Sequence, residues 1–102
     1  MGKSNIVKSL AKCIGNVVMH KLLILYTNRD ESKQHLKAEI IEYGEDAFEK
    51  AQEFNWNKND KEDIKKKALE RVLNLVKKYP DVQYKKEDLD NLINETIEEL
   101  ML

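Results

Sequence analysis

The chain has 102 residues, of which 36% are charged and 41% belong to hydrophobic types, and its formal net charge at pH 7 is −1. With only 3 glycines and 1 proline, this composition excludes collagen-like and low-complexity chains. The single cysteine, Cys13, excludes an internal disulfide and a zinc cluster built from thiolates. A net charge near zero gives the whole molecule no strong attraction to nucleic acid or to an anionic membrane. We expect one domain over residues 1–102.

The first predicted helix carries apolar residues three or four positions apart, which places them on one helical face. They are Val7, Ala11, Ile14, Val18, Leu22 and Leu25. Gly15 weakens a helix by about 1 kcal/mol relative to alanine, so a break near it is an alternative. The apolar run over residues 22–27 also suits a strand, but the chain offers almost no extended segment to pair with it. We therefore favour a continuous helix.

The most apolar stretch of the chain, residues 17–26, is interrupted by His20 and Lys21. A transmembrane helix needs roughly 18 or more apolar residues in succession. No segment of the sequence reaches that length. We expect a soluble, cytoplasmic protein that does not enter a membrane.

Three further helices follow from the same periodicity. Asn28 with Glu31, and Asn59 with Glu62, have the spacing of capping boxes and mark two helix starts. Pro80 ends the third helix because proline disfavours helical geometry in the residue before it. The apolar residues of the three helices are Leu36, Ile40, Tyr43, Ala47, Ala51 and Phe54, flanked by Ile41 and Phe48; then Ile64, Ala68, Val72, Leu75 and Tyr79; then Leu89, Leu92, Ile93, Thr96, Ile97 and Leu100.

Charge alternates along the chain. Residues 1–29, 30–56, 57–79 and 80–102 carry net charges of +5, −5, +4 and −5. In an up-down bundle each helix neighbours the previous one and the fourth returns beside the first, so all adjacent pairs would be opposite in sign. We predict an all-α fold of about four helices in an up-down bundle, which oligomerisation would complete.

The end of the first helix has more apolar surface than a thin four-helix core requires. A helix that is hydrophobic on most sides is either central in its own fold or covered by another chain. The five residues concerned are Leu22, Leu23, Ile24, Leu25 and Tyr26. We interpret the protein as a small interaction or regulatory protein that forms a homo-oligomer through this segment, with another protein as a further partner. The alternative is a first helix buried within its own chain.

A basic stripe on the third helix supports a second interpretation, binding of nucleic acid. Lys67, Arg71 and Lys78 recur at spacings that place them on one side of the helix, where they would meet phosphates. In the up-down arrangement the two basic helices are diagonal, with acidic helices between them. We therefore expect at most weak nucleic-acid binding, independent of base sequence.

Residues 29–35 begin with Arg29 and end with His35, the arginine-polar-x4-histidine spacing that resembles the signature of the HEPN ribonucleases. The resemblance implies an all-α fold and a catalytic pair formed by Arg29 and His35, with the histidine as acid and base. HEPN domains carry this motif late in their bundle, whereas here one helix precedes it. We expect no enzymatic activity, no cofactor and no metal site.

Overall fold

The computed structural model describes residues 3–26, 30–53 and 55–100, and within these ranges the chain forms four α-helices and no strand. The helices are α1 (Lys3–Tyr26), α2 (Asp30–Ala51), α3 (Lys58–Val76) and α4 (Lys86–Glu99). The predicted all-α fold is confirmed. α1 continues through Gly15 to Tyr26, so the helical interpretation of its apolar end is right and the strand alternative is wrong.

The start of α3 differs from the prediction by two residues. The Asp60 backbone N–H donates to the Asn57 side chain at 2.8 Å, and the Asn57 N–H donates to the Asp60 carboxylate at 3.2 Å. The capping box is therefore Asn57 with Asp60, because Asn57 has the extended backbone that a cap requires. α3 ends at Val76, ahead of Pro80. The predicted cap at Asn28 lies outside the described residues.

α1 is the centre of the bundle and contacts each of the other three helices. Its buried residues form a continuous row on which the smaller apolar faces of α2, α3 and α4 pack. The core contains Val7, Leu10, Ala11, Ile14, Val18, Met19 and Leu22 of α1, Ala47 and Ala51 of α2, Ile64, Ala68 and Val72 of α3, and Leu89, Ile93 and Leu100 from the end of the chain.

The neighbours of the helices differ from the predicted square. α1 packs directly on α3, α3 also contacts α4, and within the described ranges α2 contacts α1 alone. The expectation that the two basic helices are diagonal is therefore wrong. Pairs of exposed charges contribute only about 0–1 kcal/mol each, whereas burying one large aliphatic side chain contributes about 1.5–3 kcal/mol. Apolar burial thus decides which helices pack together.

Gly15 permits the close packing of α1 on α3. A Cβ atom at this position would lie 2.5 Å from Cγ and 2.7 Å from Cβ of Arg71, and 3.2 Å from the carbonyl oxygen of Ala68. These distances are too short for a side chain of any size. The Arg71 Nε–H also donates to the Asn16 side-chain oxygen at 3.2 Å, next to the same contact.

Lys21 connects α1 to α4 through an ion pair, as the opposite net charges of these two helices in the sequence predict. Its ammonium group lies 2.8 Å from Glu99 Oε1 and donates to the Thr96 hydroxyl at 3.0 Å. The Lys21 side chain is 15% exposed, which limits screening by solvent. The aliphatic stem thus packs in the interior while the charge reaches the edge of α4.

The Tyr26 hydroxyl connects the end of α1 to the start of α4. It accepts a hydrogen bond from the Lys85 backbone N–H and donates one to Asp88 Oδ2, both at 2.9 Å. Lys85 is the N-cap residue of α4 and its own side chain makes no capping bond. The Lys85 bond lowers the pKa of Tyr26, but desolvation and the Asp88 carboxylate raise it, and the net pKa lies above the ordinary value.

One helix of the described chain is long and apolar enough to cross a membrane, namely residues 5–26 of α1, whose most apolar window has a mean hydropathy of 1.2. Central helices of globular bundles have the same length and composition. In this structure 44% of that window is buried inside the protein, which agrees with the central position of α1.

The two glycines inside helices give a matched test of the α1–α3 contact. Alanine is normally favoured over glycine within a helix by about 1 kcal/mol. No atom lies within 4 Å of the Cβ position at Gly44, so Gly44→Ala should raise the free energy of unfolding by about that amount. Gly15→Ala should lower it, because overpacking costs about 1–3 kcal/mol. Urea denaturation at low protein concentration measures both, and an increase for Gly15→Ala would contradict the close approach.

Candidate interaction surfaces

An exposed apolar surface lies on α2. Ile41 is 64% exposed and Phe48 is 44% exposed, and seven residues, or two helical turns, separate them. Among the α2 residues whose burial is described, Ala47 and Ala51 are the buried ones. The larger apolar residues of α2 are partly buried or, at Ile41 and Phe48, exposed.

Ile41 and Phe48 belong to an open groove of about 480 Å³ between α2 and the C-terminal end of α4. We call it the α2–α4 groove. It is lined by Ile40, Ile41, Gly44, Glu45, Phe48, Glu49, Glu99 and Leu100. Because Gly44 has no side chain and nothing fills the space above it, the backbone of α2 is accessible between the two large apolar residues.

The apolar surface continues past the end of α2. Phe48 and Leu100 also line a second depression of about 450 Å³ that reaches Trp56. The Trp56 indole N–H donates to the Ala51 carbonyl oxygen at 2.8 Å, which holds the ring against the end of α2. Trp56 thus extends the same surface although its neighbours in the sequence are polar.

The charged groups at the edge of the α2–α4 groove are carboxylates. Glu45 and Glu49 are exposed on α2, and Glu99 of α4 is paired with Lys21. A molecule that covers the apolar floor would therefore meet a negative edge, and lysine or arginine side chains would be favoured there.

The five residues that the sequence suggests for self-association, residues 22–26, differ in their burial. Leu22 is fully buried in the core, and Leu23 and Tyr26 pack against it from partly buried positions. Ile24 is half-buried, and Leu25 is 58% exposed. The apolar character of these five residues is explained chiefly by the central position of α1.

The structure also brings basic residues of α1 and α3 together. Lys8 and Lys12 of α1 share an open groove of about 370 Å³ with Lys67, Arg71 and Asn74 of α3. We call it the α1–α3 groove. Glu70 is also part of its lining, so the charge of the lining is positive but not uniform.

The three residues that the sequence proposes for nucleic acid differ in their positions. Lys67 and Arg71 line the α1–α3 groove, whereas Lys78 is exposed beyond the end of α3. Lys67 is paired with Asp63 at 2.6 Å. Lys8 and Lys12 belong to the basic first segment, and the contact between α1 and α3 places them beside Lys67 and Arg71.

His20, Glu39 and His35 form a polar cluster where α2 meets α1. Glu39 contacts Nε2 of His20 and lies 3.0 Å from Nε2 of His35, and the His20 ring stacks obliquely on Tyr43 at a centroid distance of 5.5 Å. His20 Nδ1 is 2.6 Å from the Asn16 carbonyl oxygen. The cluster fastens α2 to α1.

The structure describes one member of the catalytic pair that the HEPN-like spacing suggests. Arg29 lies outside the described residues, and the His35 side chain is 74% exposed on the surface of α2. Among the described residues, no group of three or more histidine, cysteine, aspartate or glutamate side chains is placed to hold a metal ion.

Cys13 lies on the side of α1 that faces α2 and is partly buried. Burial raises the pKa of its thiol and is the largest effect; then, in decreasing order, Lys50 lowers the pKa, Asp46 raises it and Lys12 lowers it. The net shift is upward, so the thiol is protonated at neutral pH and is a weak nucleophile.

We expect Cys13 to react with iodoacetamide at pH 7.5 more slowly than the thiol of a short unstructured peptide. The rate should rise to the peptide value in denaturing urea, because unfolding removes the burial that raises the pKa. The single cysteine makes the labelled fraction in intact-mass spectra an unambiguous measurement. Equal rates for the native protein and the peptide would contradict the raised pKa.

Comparison of the chain with protein-family models, with curated proteins and with solved structures finds no significant match. Two surfaces of the described residues differ in their chemistry: the α2–α4 groove is apolar with an acidic edge, and the α1–α3 groove is mainly basic.

Proposed function

We propose that this protein functions by assembling with further copies of itself, and that the α2–α4 groove is the surface through which it does so. The supporting observation is the exposure of Ile41 and Phe48 on either side of the open position at Gly44. A soluble chain that leaves two large apolar side chains beside a groove gains free energy when another chain covers them.

This proposal moves the assembly surface away from the segment that the sequence suggests. Leu22 is in the core and contributes nothing to an interface. Leu25 is 58% exposed but is not part of the surface formed by α2 and α4. On α2, by contrast, Ile41, Phe48 and the end of α4 surround a concave surface that accepts side chains from a second copy.

The exposed positions Ile41 and Leu25 allow a matched test, because both are aliphatic and more than half exposed. Light scattering across micromolar to millimolar concentrations should show assembly of the wild-type chain. Ile41→Glu should raise the dissociation constant at least about tenfold, since a lost aliphatic contact costs about 1.5–3 kcal/mol and 1.4 kcal/mol is a factor of ten. Leu25→Glu should leave it unchanged.

Two results would contradict this proposal. A wild-type protein that remains a monomer of 12.0 kDa at the highest concentration would exclude self-association. If Leu25→Glu dissociates the assembly and Ile41→Glu does not, the interface lies at the end of α1. Circular dichroism of each variant establishes that the helices are retained.

A second candidate function is binding of nucleic acid along the α1–α3 groove. The sequence argument against it assumed that the two basic helices are diagonal, and they are in direct contact. Lys8 and Lys12 are exposed and lie beside Lys67 and Arg71. Four basic side chains along one groove supply phosphate contacts, which fix position without reading base sequence.

Two double variants, each lacking two lysines, distinguish binding in the α1–α3 groove from nonspecific attraction to positive charge. Lys8→Ala with Lys12→Ala should weaken binding of labelled single strands and duplex, and should reduce the slope of log affinity against log salt by about 2, measured between about 50 and about 200 mM salt. Lys85→Ala with Lys86→Ala removes the same charge from exposed positions at the start of α4 and should have a smaller effect. Equal effects of the two pairs would contradict a binding groove.

A further inference from the structure

We infer that the copies assemble head to tail, with the α2–α4 groove of one copy receiving the outer face of α3 from the next. This inference rests on the proposed self-association and specifies its geometry. It follows from a second exposed apolar surface, opposite in charge to the first, on the same chain.

The outer face of α3 carries that second surface. Leu73 is 40% exposed, and Leu69 and Val76, at the neighbouring turns, are partly buried at the edge of the core. The exposed Lys66 and Lys77 continue the same face, seven residues before and four residues after Leu73. We call these five residues the α3 stripe.

The α3 stripe and the α2–α4 groove complement each other in charge. Each has large apolar side chains at its centre, and its charged members are lysines on the stripe and glutamates in the groove. Two acidic residues of α3 also lie beside the stripe, Glu62 one turn before Lys66 and Glu70 one turn before Leu73. Placing Leu73 over Gly44 would bury it between Ile41 and Phe48.

A symmetric arrangement, in which two grooves face each other, suits the charges less well. A two-fold axis would bring Glu45 and Glu49 of one copy towards the same residues of the other, because an isologous interface joins identical patches. Like charges placed opposite each other oppose association. The head-to-tail arrangement replaces this repulsion with contacts between glutamates and lysines.

Complementary variants test the inference directly. Phe48→Glu disrupts the α2–α4 groove and leaves the α3 stripe intact, whereas Leu73→Glu disrupts the stripe and leaves the groove intact. Each variant alone should therefore be a monomer by light scattering. An equimolar mixture should form a 1:1 pair of twice the 12.0 kDa chain mass, because one working groove and one working stripe remain. The pair should not grow further, since its two free ends are both inactivated.

Charge reversal supplies a second measurement with surface residues only. Glu45→Lys with Glu49→Lys should weaken wild-type assembly at least about tenfold, and mixing this variant with a Lys66→Glu, Lys77→Glu variant should restore pairing. Circular dichroism of each variant establishes that the chains are folded.

The possible failures are distinguishable. Loss of assembly in Phe48→Glu but not in Leu73→Glu, with no complementation on mixing, would overturn the head-to-tail arrangement and leave self-association through the groove intact. A wild-type chain that stays monomeric would overturn the proposed function itself, and with it this inference.

Discussion

The enclosure of α1 by three helices is the constraint on which the rest of the structure depends. Each of the other helices packs on a different part of its surface, and a polar contact fastens each one: His20 to α2, Asn16 to α3 and Lys21 to α4. Since α2 contacts no helix other than α1 in the described residues, its position depends entirely on that contact. Among the described residues, Ile41 and Phe48 of α2 consequently remain exposed and line the α2–α4 groove.

Much of the helical architecture was predictable from the sequence, because apolar periodicity depends on local geometry alone. Ile64, Ala68 and Val72, at spacings of four, are buried in the core, whereas Leu25 and Tyr79, predicted on the same apolar lines, are 58% and 43% exposed. Which helices are neighbours was not predictable from charge. The contact at Gly15 shows why: its effect depends on Arg71, more than fifty residues away in the chain, and a local pattern contains no information about that partner.

In the α2–α4 groove as well, the sequence predicts which residues are apolar, and tertiary packing decides which of them are exposed. Ile41 and Phe48 were recognised as residues flanking the apolar line of α2, but their exposure follows from how little of α2 is covered by α1. A usable signal was nonetheless present, because α2 buries small alanines and has larger apolar residues to one side of them. The apolar run over residues 22–26 is more conspicuous in the sequence than Ile41 and Phe48. It is apolar because α1 is the central helix of the bundle.

The two proposed surfaces are mutually compatible because α3 presents them on different sides. Lys67, Arg71 and Asn74 face the groove shared with α1, whereas Leu73 and Lys77 face outward. Docking of the α3 stripe into the next copy would therefore leave the α1–α3 groove open. A head-to-tail assembly would repeat that basic groove once per copy, so phosphate contacts that are weak in one chain would add along the assembly through effective concentration. Nucleic-acid affinity would then rise with assembly and fall together with it in Phe48→Glu, although Phe48 lies on a different helix from every basic residue of the groove.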